Sequence, residues 1–300
     1  MSTSVRVFSM ILESVFDDVF LLLGMSFFQR ALVGGCVISM ICAVIGLFVV
    51  LRKESMIGDS AAHISFGGIA VGLLLGIEPL LLAVVMSVAA VFGMDYMKKK
   101  KIAQADSAMA VMLALGFSMG LVAIGLSDGF SIAIMDYLFG SILTISDGDL
   151  LLIAALGASV LSIIFMLLKE YIAMTFDESS SKLNGIPAGL LSVIFNVMLA
   201  VTVVLSIKVV GVILVMALMV IPSLAALQLS LSFKRTLVAG ISFAVVSTFI
   251  GIMLSAVVDL PAAGVIVFAD FIMLMLLVAY KRLGHSEENR KPSKEKQPIP

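Results

Sequence analysis

The sequence predicts an all-α, polytopic membrane protein with about nine transmembrane helices, within bounds of eight and ten. Three observations predict it. The 300-residue chain is 61% hydrophobic and 13% charged, with a mean hydropathy of +1.21, whereas soluble domains are nearer half apolar and a quarter charged. Nine apolar runs each approach the roughly 20 residues that a helix needs to cross a bilayer. Lys and Arg gather at every second connection between these runs, as expected of loops kept in the cytoplasm. The net charge of −1 gives no reason to expect a nucleic-acid partner.

Each element has its own warrant. Residues 1–27 carry Glu13, Asp17 and Asp18 within their apolar stretch, which favours an amphipathic segment at the membrane surface over a cleaved signal peptide. The transmembrane part covers 28–280, with passes at 31–51, 59–77, 79–97, 107–126, 149–169, 187–207, 210–230, 237–258 and 264–280. Arg52 and Lys53 follow the first pass, Lys98 to Lys101 the third, and Lys169 and Lys182 the fifth. Lys234 and Arg235 follow the seventh, and Lys281 and Arg282 the ninth. The other connections lack Lys and Arg, so the amino terminus lies outside and the carboxyl terminus inside. Lys208 is the exception. It sits in so tight a turn that passes six and seven alternatively form one broken hairpin. Pro222 removes a backbone hydrogen bond from pass seven and predicts a bend there. Cys36 and Cys42, six residues apart in one apolar run, fall on different helix faces and read as packing residues. Residues 281–300, polar and Pro-containing, read as a disordered cytoplasmic tail with His285 solvated.

The stretch "MIGDSAAHISFGG", residues 56–68, departs from this apolar background. An ionisable side chain within a span costs a few kcal/mol even on the lenient insertion scale, so it faces a partner or a cavity. Asp59 and His63 are spaced i, i+4 and share one helix face. Helical geometry puts Gly67 on the same stripe and Gly68, Gly72 and Gly76 on the opposite one, where small residues admit a close neighbour. The Asp–His stripe is then left to face a polar path. A carboxylate and an imidazole without thiolates suit Zn²⁺, Mn²⁺ or Fe²⁺, and they suit a proton relay equally. A capping Asp beside a hydrogen-bonded His is the structural alternative. One Asp and one His are too few for a closed site, and a second copy across a two-fold axis would double them. A cysteine at Gly67 would then cross-link chain to chain more readily than one at Gly72.

Four blocks together resemble one family. They are "RALVGGCVISMICAVIGLFVVLRKESMIGDSAAHISFGGIAVG" (30–72), "MDYLFGSILTIS" (135–146), "FDESSSKLNGI" (176–186) and "VVGVILVMALMVIPSLAA" (209–226). In this order they resemble the membrane permease subunits of the zinc/manganese/iron divalent-metal ABC importers. The resemblance implies a permease fold of the vitamin B12/iron-chelate importer type, in the cell (inner) membrane, with two copies around a central path. It implies a separate ABC ATPase subunit, an extracytoplasmic metal-binding protein, and a divalent metal as transported substrate with no resident cofactor. It makes Asp59 and His63 the metal ligands. It makes residues 175–186 a coupling helix that docks on the ATPase through Asp177, Glu178, Lys182 and Gly185. It puts Asp136, Tyr137 and Gly140 at the outer mouth. The chain departs from the family at Gly67, Ser181, Asn184, Ala262 and Asp270.

Two readings stand independently of the resemblance. The sequence has no G-x-x-x-x-G-K-[ST] phosphate loop, so ATP hydrolysis falls to another chain and this one is a transport subunit rather than an enzyme. Asp128, Asp136, Asp147 and Asp149 give the outer face a negative field that draws in cations. A proton-coupled secondary metal carrier using the Asp–His pair is the alternative, although such carriers show paired broken helices and only one break is visible here. An intramembrane metalloprotease would need an H-E-x-x-H pattern, which the chain lacks.

Overall fold

The structure, a computed structural model, describes residues 21–127, 132–140 and 145–288. The amphipathic reading of residues 1–27 falls almost wholly outside them, as does Asp128. Every regular element among the described residues is a helix: α1 (Ser26–Leu51), α2 (Met56–Leu75), α3 (Pro79–Lys99), α4 (Ala105–Leu126), α5 (Ile132–Phe139), α6 (Asp147–Met166), α7 (Leu168–Phe176), α8 (Glu178–Leu183), α9 (Ala188–Val210), α10 (Val215–Gln228), α11 (Phe233–Val258) and α12 (Ala262–Glu288). Eight of these are long and apolar enough to cross a membrane, and α10, with 14 residues, is shorter. Helices α1, α2 and α9 are mostly buried and form the centre, whereas α6 and α12 are mostly exposed at the periphery.

The seventh pass is the element that the structure changes most. In place of 210–230, α10 covers Val215–Gln228, about 21 Å of helix for a hydrocarbon layer of about 30 Å. Helix α5 fills the missing depth. The backbone N–H groups of Val212 and Ile213, freed by the break, donate to Tyr137 O at 3.0 Å and Leu138 O at 3.5 Å. Such pairing is what lets irregular backbone exist at membrane depth. Gly140 and Gly211 adopt φ of 75° and 81° and meet backbone to backbone, so a Cβ on Gly211 would stand 2.5 Å from Leu138 O. Passes six and seven are not one hairpin, because α10 packs mainly on α1, α11 and α12 rather than on α9.

Ion pairs explain the charge exception. Lys208 bonds to Asp149 at the start of α6, and Arg30 lies 2.9 Å from Asp147 beside it. A cation on the outer side is thus tolerated because a carboxylate neutralises it. The same pairing weakens the expected negative field, since Asp147 and Asp149 are both engaged. On the other side, which the Lys and Arg pattern assigns to the cytoplasm, Lys98 reaches Glu54 at 2.7 Å.

Asp270 finds a partner for one carboxyl oxygen, while its Oδ2 is buried with none among the described residues. It is buried in α12 and accepts a hydrogen bond from Ser247 Oγ of α11. The two helices touch at Gly251, whose Cβ would stand 2.7 Å from the Ile266 backbone. The tail reading is corrected in part. Helix α12 continues through Gly284 to Glu288, and residues 289–300 lie outside the described set.

Candidate metal-translocation site

Helix α2 carries the Asp–His pair and is enclosed on nearly every side. Asp59 lies in its first turn, where the positive end of the helix dipole favours a carboxylate. The helix stops at Gly76, whose left-handed φ of 68° closes the carboxyl end. Gly76 is therefore a cap, and only Gly68 and Gly72 of the expected glycine stripe make a contact. They receive α3: a Cβ at Gly68 would lie 2.8 Å from Ala83 Cα, and one at Gly72 would lie 2.9 Å from Pro79 Cα.

Gly67 corrects the other stripe. It packs on α4, with its virtual Cβ 2.6 Å from Gly116 O, and a Cβ at Gly116 would stand 2.5 Å from the Ile64 backbone. The helices α2 and α4 thus cross backbone on backbone. Ser60 Oγ pins the crossing by donating to Met109 O at 2.8 Å. Gly67 is buried inside the subunit and does not face a partner copy. The sequence did carry a signal for this contact: "GFSMG", residues 116–120, is a small-xxx-small pattern on pass four.

What α2 leaves open is narrow. Over residues 56–63, only Met56, Asp59 and His63 are not buried. The Asp59 side chain keeps 33% of its exposure and His63 keeps 22%, and Asp59 Oδ1 lies 3.8 Å from His63 Nε2. That separation is too long for a hydrogen bond. Donor atoms sharing a tetrahedral ion at roughly 2.1 Å stand about 3.4 Å apart, so a small side-chain adjustment lets both bind one metal. Phe117 of α4 meets the imidazole edge-on at 5.7 Å between centroids and limits its rotation. His63 Nδ1 is buried with no hydrogen-bond partner among the described residues. No third His, Cys, Asp or Glu of the described residues joins the pair. The described residues bring together one carboxylate and one imidazole here.

The outer residues group as a second cluster. Asp136 is exposed and Tyr137 half-buried on α5, and Gly140 makes the backbone contact with Gly211.

The sequence over residues 24–281 matches the model of the ABC 3 transport family. The chain belongs to the ABC 3 transport family. Among its relatives, the manganese transport system membrane protein MntC of Halalkalibacterium halodurans is 28% identical, over 82% of this chain and 84% of its own. The high-affinity zinc uptake system membrane protein ZnuB of Haemophilus influenzae is also 28% identical, over 84% of this chain and 97% of its own. A solved structure of PsaBC from Streptococcus pneumoniae in complex with Fab superposes with a TM-score of 0.80 at 25% identity, covering 88% of this chain and 95% of that one. This ABC 3 family member is therefore a multi-pass membrane transport subunit.

The cytoplasmic-side block of this ABC 3 family chain is two short helices rather than one helix over 175–186. Thr175, in the last turn of α7, bonds back to Tyr171 O at 2.7 Å, and the helix ends at Phe176. Asp177 then caps α8, accepting from the Ser180 amide at 2.9 Å and its hydroxyl at 2.6 Å. Those bonds hold the Asp177 carboxyl below the usual carboxylate range. The cap's contribution is full above that range and is lost as pH falls through the lowered value beneath it. Glu178 begins α8. Ser181, a departure from the family pattern, is buried and satisfied by donating to Asp177 O at 2.7 Å. Gly185 stops the turn with φ of 80°, while Lys182 is exposed and Leu183 stands 88% exposed.

Proposed function

We propose that this chain is the permease of an ATP-driven importer that carries zinc, manganese or iron into the cytoplasm, with Asp59 and His63 as transient ligands. One observation carries the reading: the open residues in the first two turns of the central helix α2 include one carboxylate and one imidazole within reach of a common ion. Divalent ions of this group accept that donor set without thiolates, and a half-filled shell suits a path, where an ion must leave as well as bind. The relatives named for manganese and zinc support the substrate class. The ATPase is a separate chain, an extracytoplasmic protein delivers the metal, and no resident cofactor takes part. The test is uptake of radioactive ⁵⁴Mn or ⁶⁵Zn by cells with and without the chain. Loss of uptake on blocking ATP hydrolysis supports the importer, whereas loss only on collapsing the proton gradient supports the carrier.

Two copies meet along the open stripe of α2, which completes the shell as two Asp and two His. Met56, at 50% exposure, continues that stripe. Under oxidation, Met56→Cys is expected to cross-link chain to chain and Gly67→Cys to remain monomeric, read by non-reducing gel electrophoresis. The reverse result would turn α2 the other way and remove the shared site.

Helix α8 docks on the ATPase, presenting Leu183 and Lys182 on a segment whose ends are fixed by Asp177 and Gly185. Gly185→Val forces a branched residue into left-handed backbone, at a cost of about 1–2 kcal/mol. Co-purification of the ATPase is expected to fall, and its hydrolysis to lose the stimulation given by the permease. If both are unchanged, α8 is not the coupling element.

A further inference from the structure

On the Lys- and Arg-rich side, a cavity of about 560 Å³ opens between the ends of α1, α3 and α9, with α7 and α8 along one wall. Five cations line it: Arg52, Lys53, Lys98, Lys99 and Lys182. Two carboxylates, Glu54 and Asp95, face the same space. Both carboxylates already have partners. Lys98 lies 2.7 Å from Glu54 and 3.9 Å from Asp95, and Asp95 also accepts from Asn196 Nδ2 at 2.7 Å. The Arg52 guanidinium is held over the Phe195 ring at 4.5 Å. Lys53 and Lys99 form no ion pair among the described residues, so the lining keeps positive charge that its own carboxylates do not take up.

Helix α9 adds to the same sign. Its first turn, with Ala188, Gly189 and Ser192, opens on the cavity, and its N-cap Pro187 supplies no side-chain hydrogen bond. A Cβ built on Gly189 would meet nothing within 4 Å, so the side of this turn at Gly189 and Leu190 is clear of protein, whereas the Ala188 amide donates to Ile186 O at 2.7 Å. The amino terminus of a 23-residue helix presents backbone donors and a positive dipole end. Cations from three separate segments and the exposed side of a helix start thus converge on one space of ligand size.

We infer that this cavity binds a phosphate-bearing anion, its oxygens held by Lys53, Lys99 and the first turn of α9. Phosphate oxygens accept charge-assisted hydrogen bonds from ammonium groups and amides alike. The cavity lies at the ends of membrane-spanning helices, on the side that the Lys and Arg pattern assigns to the cytoplasm, within reach of lipid headgroups and of solutes. The anion is therefore either an anionic phospholipid headgroup or a soluble phosphate ester. The inference does not rest on the metal-ligand reading.

Two probes on the purified full-length chain test it: pyrophosphate by calorimetric titration, and phosphatidylglycerol against phosphatidylcholine in nanodiscs by native mass spectrometry. At least one probe is expected to bind, more tightly than phosphatidylcholine. Lys53→Gln with Lys99→Gln is expected to weaken it about tenfold or more. Lys99→Gln alone gives a smaller loss, and Lys234→Gln with Lys281→Gln, two cations outside the cavity, gives none. Retention of phosphatidylglycerol alone identifies a lipid, and binding of pyrophosphate alone identifies a soluble anion. Failure of both probes to bind overturns the inference, as does equal binding by the parent and by a cavity variant with the same gel-filtration profile.

Discussion

Asp59→Ala and His63→Ala are each expected to lower metal accumulation by more than about 100-fold, while the amount of chain in the membrane stays constant. The magnitude follows from position. Removing groups that only support metal ligands costs 10–100-fold, and here each substitution removes one of two ligands in the subunit, and both copies of it in a dimer. The unchanged amount follows from burial, because neither side chain is fully buried: Asp59 keeps 33% and His63 22% of its exposure on the open stripe of α2. Uptake of radioactive metal, normalised to chain detected in membranes, makes the measurement. Normal uptake by both variants would remove Asp59 and His63 from the path.

Gly116→Val is expected to disrupt the fold that holds that pair in place. Its Cβ would stand 2.5 Å from the Ile64 backbone, one residue beyond His63, and backbone cannot move aside as a side-chain tip can. Overpacking of this kind costs typically 1–3 kcal/mol, and a backbone obstacle on both helices puts it near the top, at about 3 kcal/mol. Thermal unfolding of the purified chain should show the loss. Gly125→Val is the internal comparison, since nothing lies within 4 Å of its Cβ. If the two variants unfold alike, the α2–α4 crossing does not depend on close backbone approach.

The class of the molecule was legible because hydropathy and the Lys and Arg pattern are local properties of the chain. Eight of nine passes appear as long helices where the apolar runs lie, and the Asp177 cap and the Gly185 stop follow from residues adjacent in sequence. Pass seven was misjudged in length. The apolar run continues through 210–214, but the backbone there is spent on bonds to α5, which no residue in the run announces. Lys208 was left as an exception for a similar reason, since its partner Asp149 lies 59 residues away.

The Asp–His pair divides the two kinds of information most clearly. Spacing alone set Asp59 and His63 on one face, because an α-helix repeats every 3.6 residues whatever surrounds it. Spacing equally put Gly67 on that face, and there it misled. Helix α4 covers Gly67 through Gly116 and leaves the turn below uncovered. The sequence by itself determined a membrane-spanning transport subunit, the helix that carries the pair, and the pair's common direction. Tertiary structure alone decided how far along that face the path stays open, because the coverage of a helix depends on where its neighbours' glycines let their backbones approach.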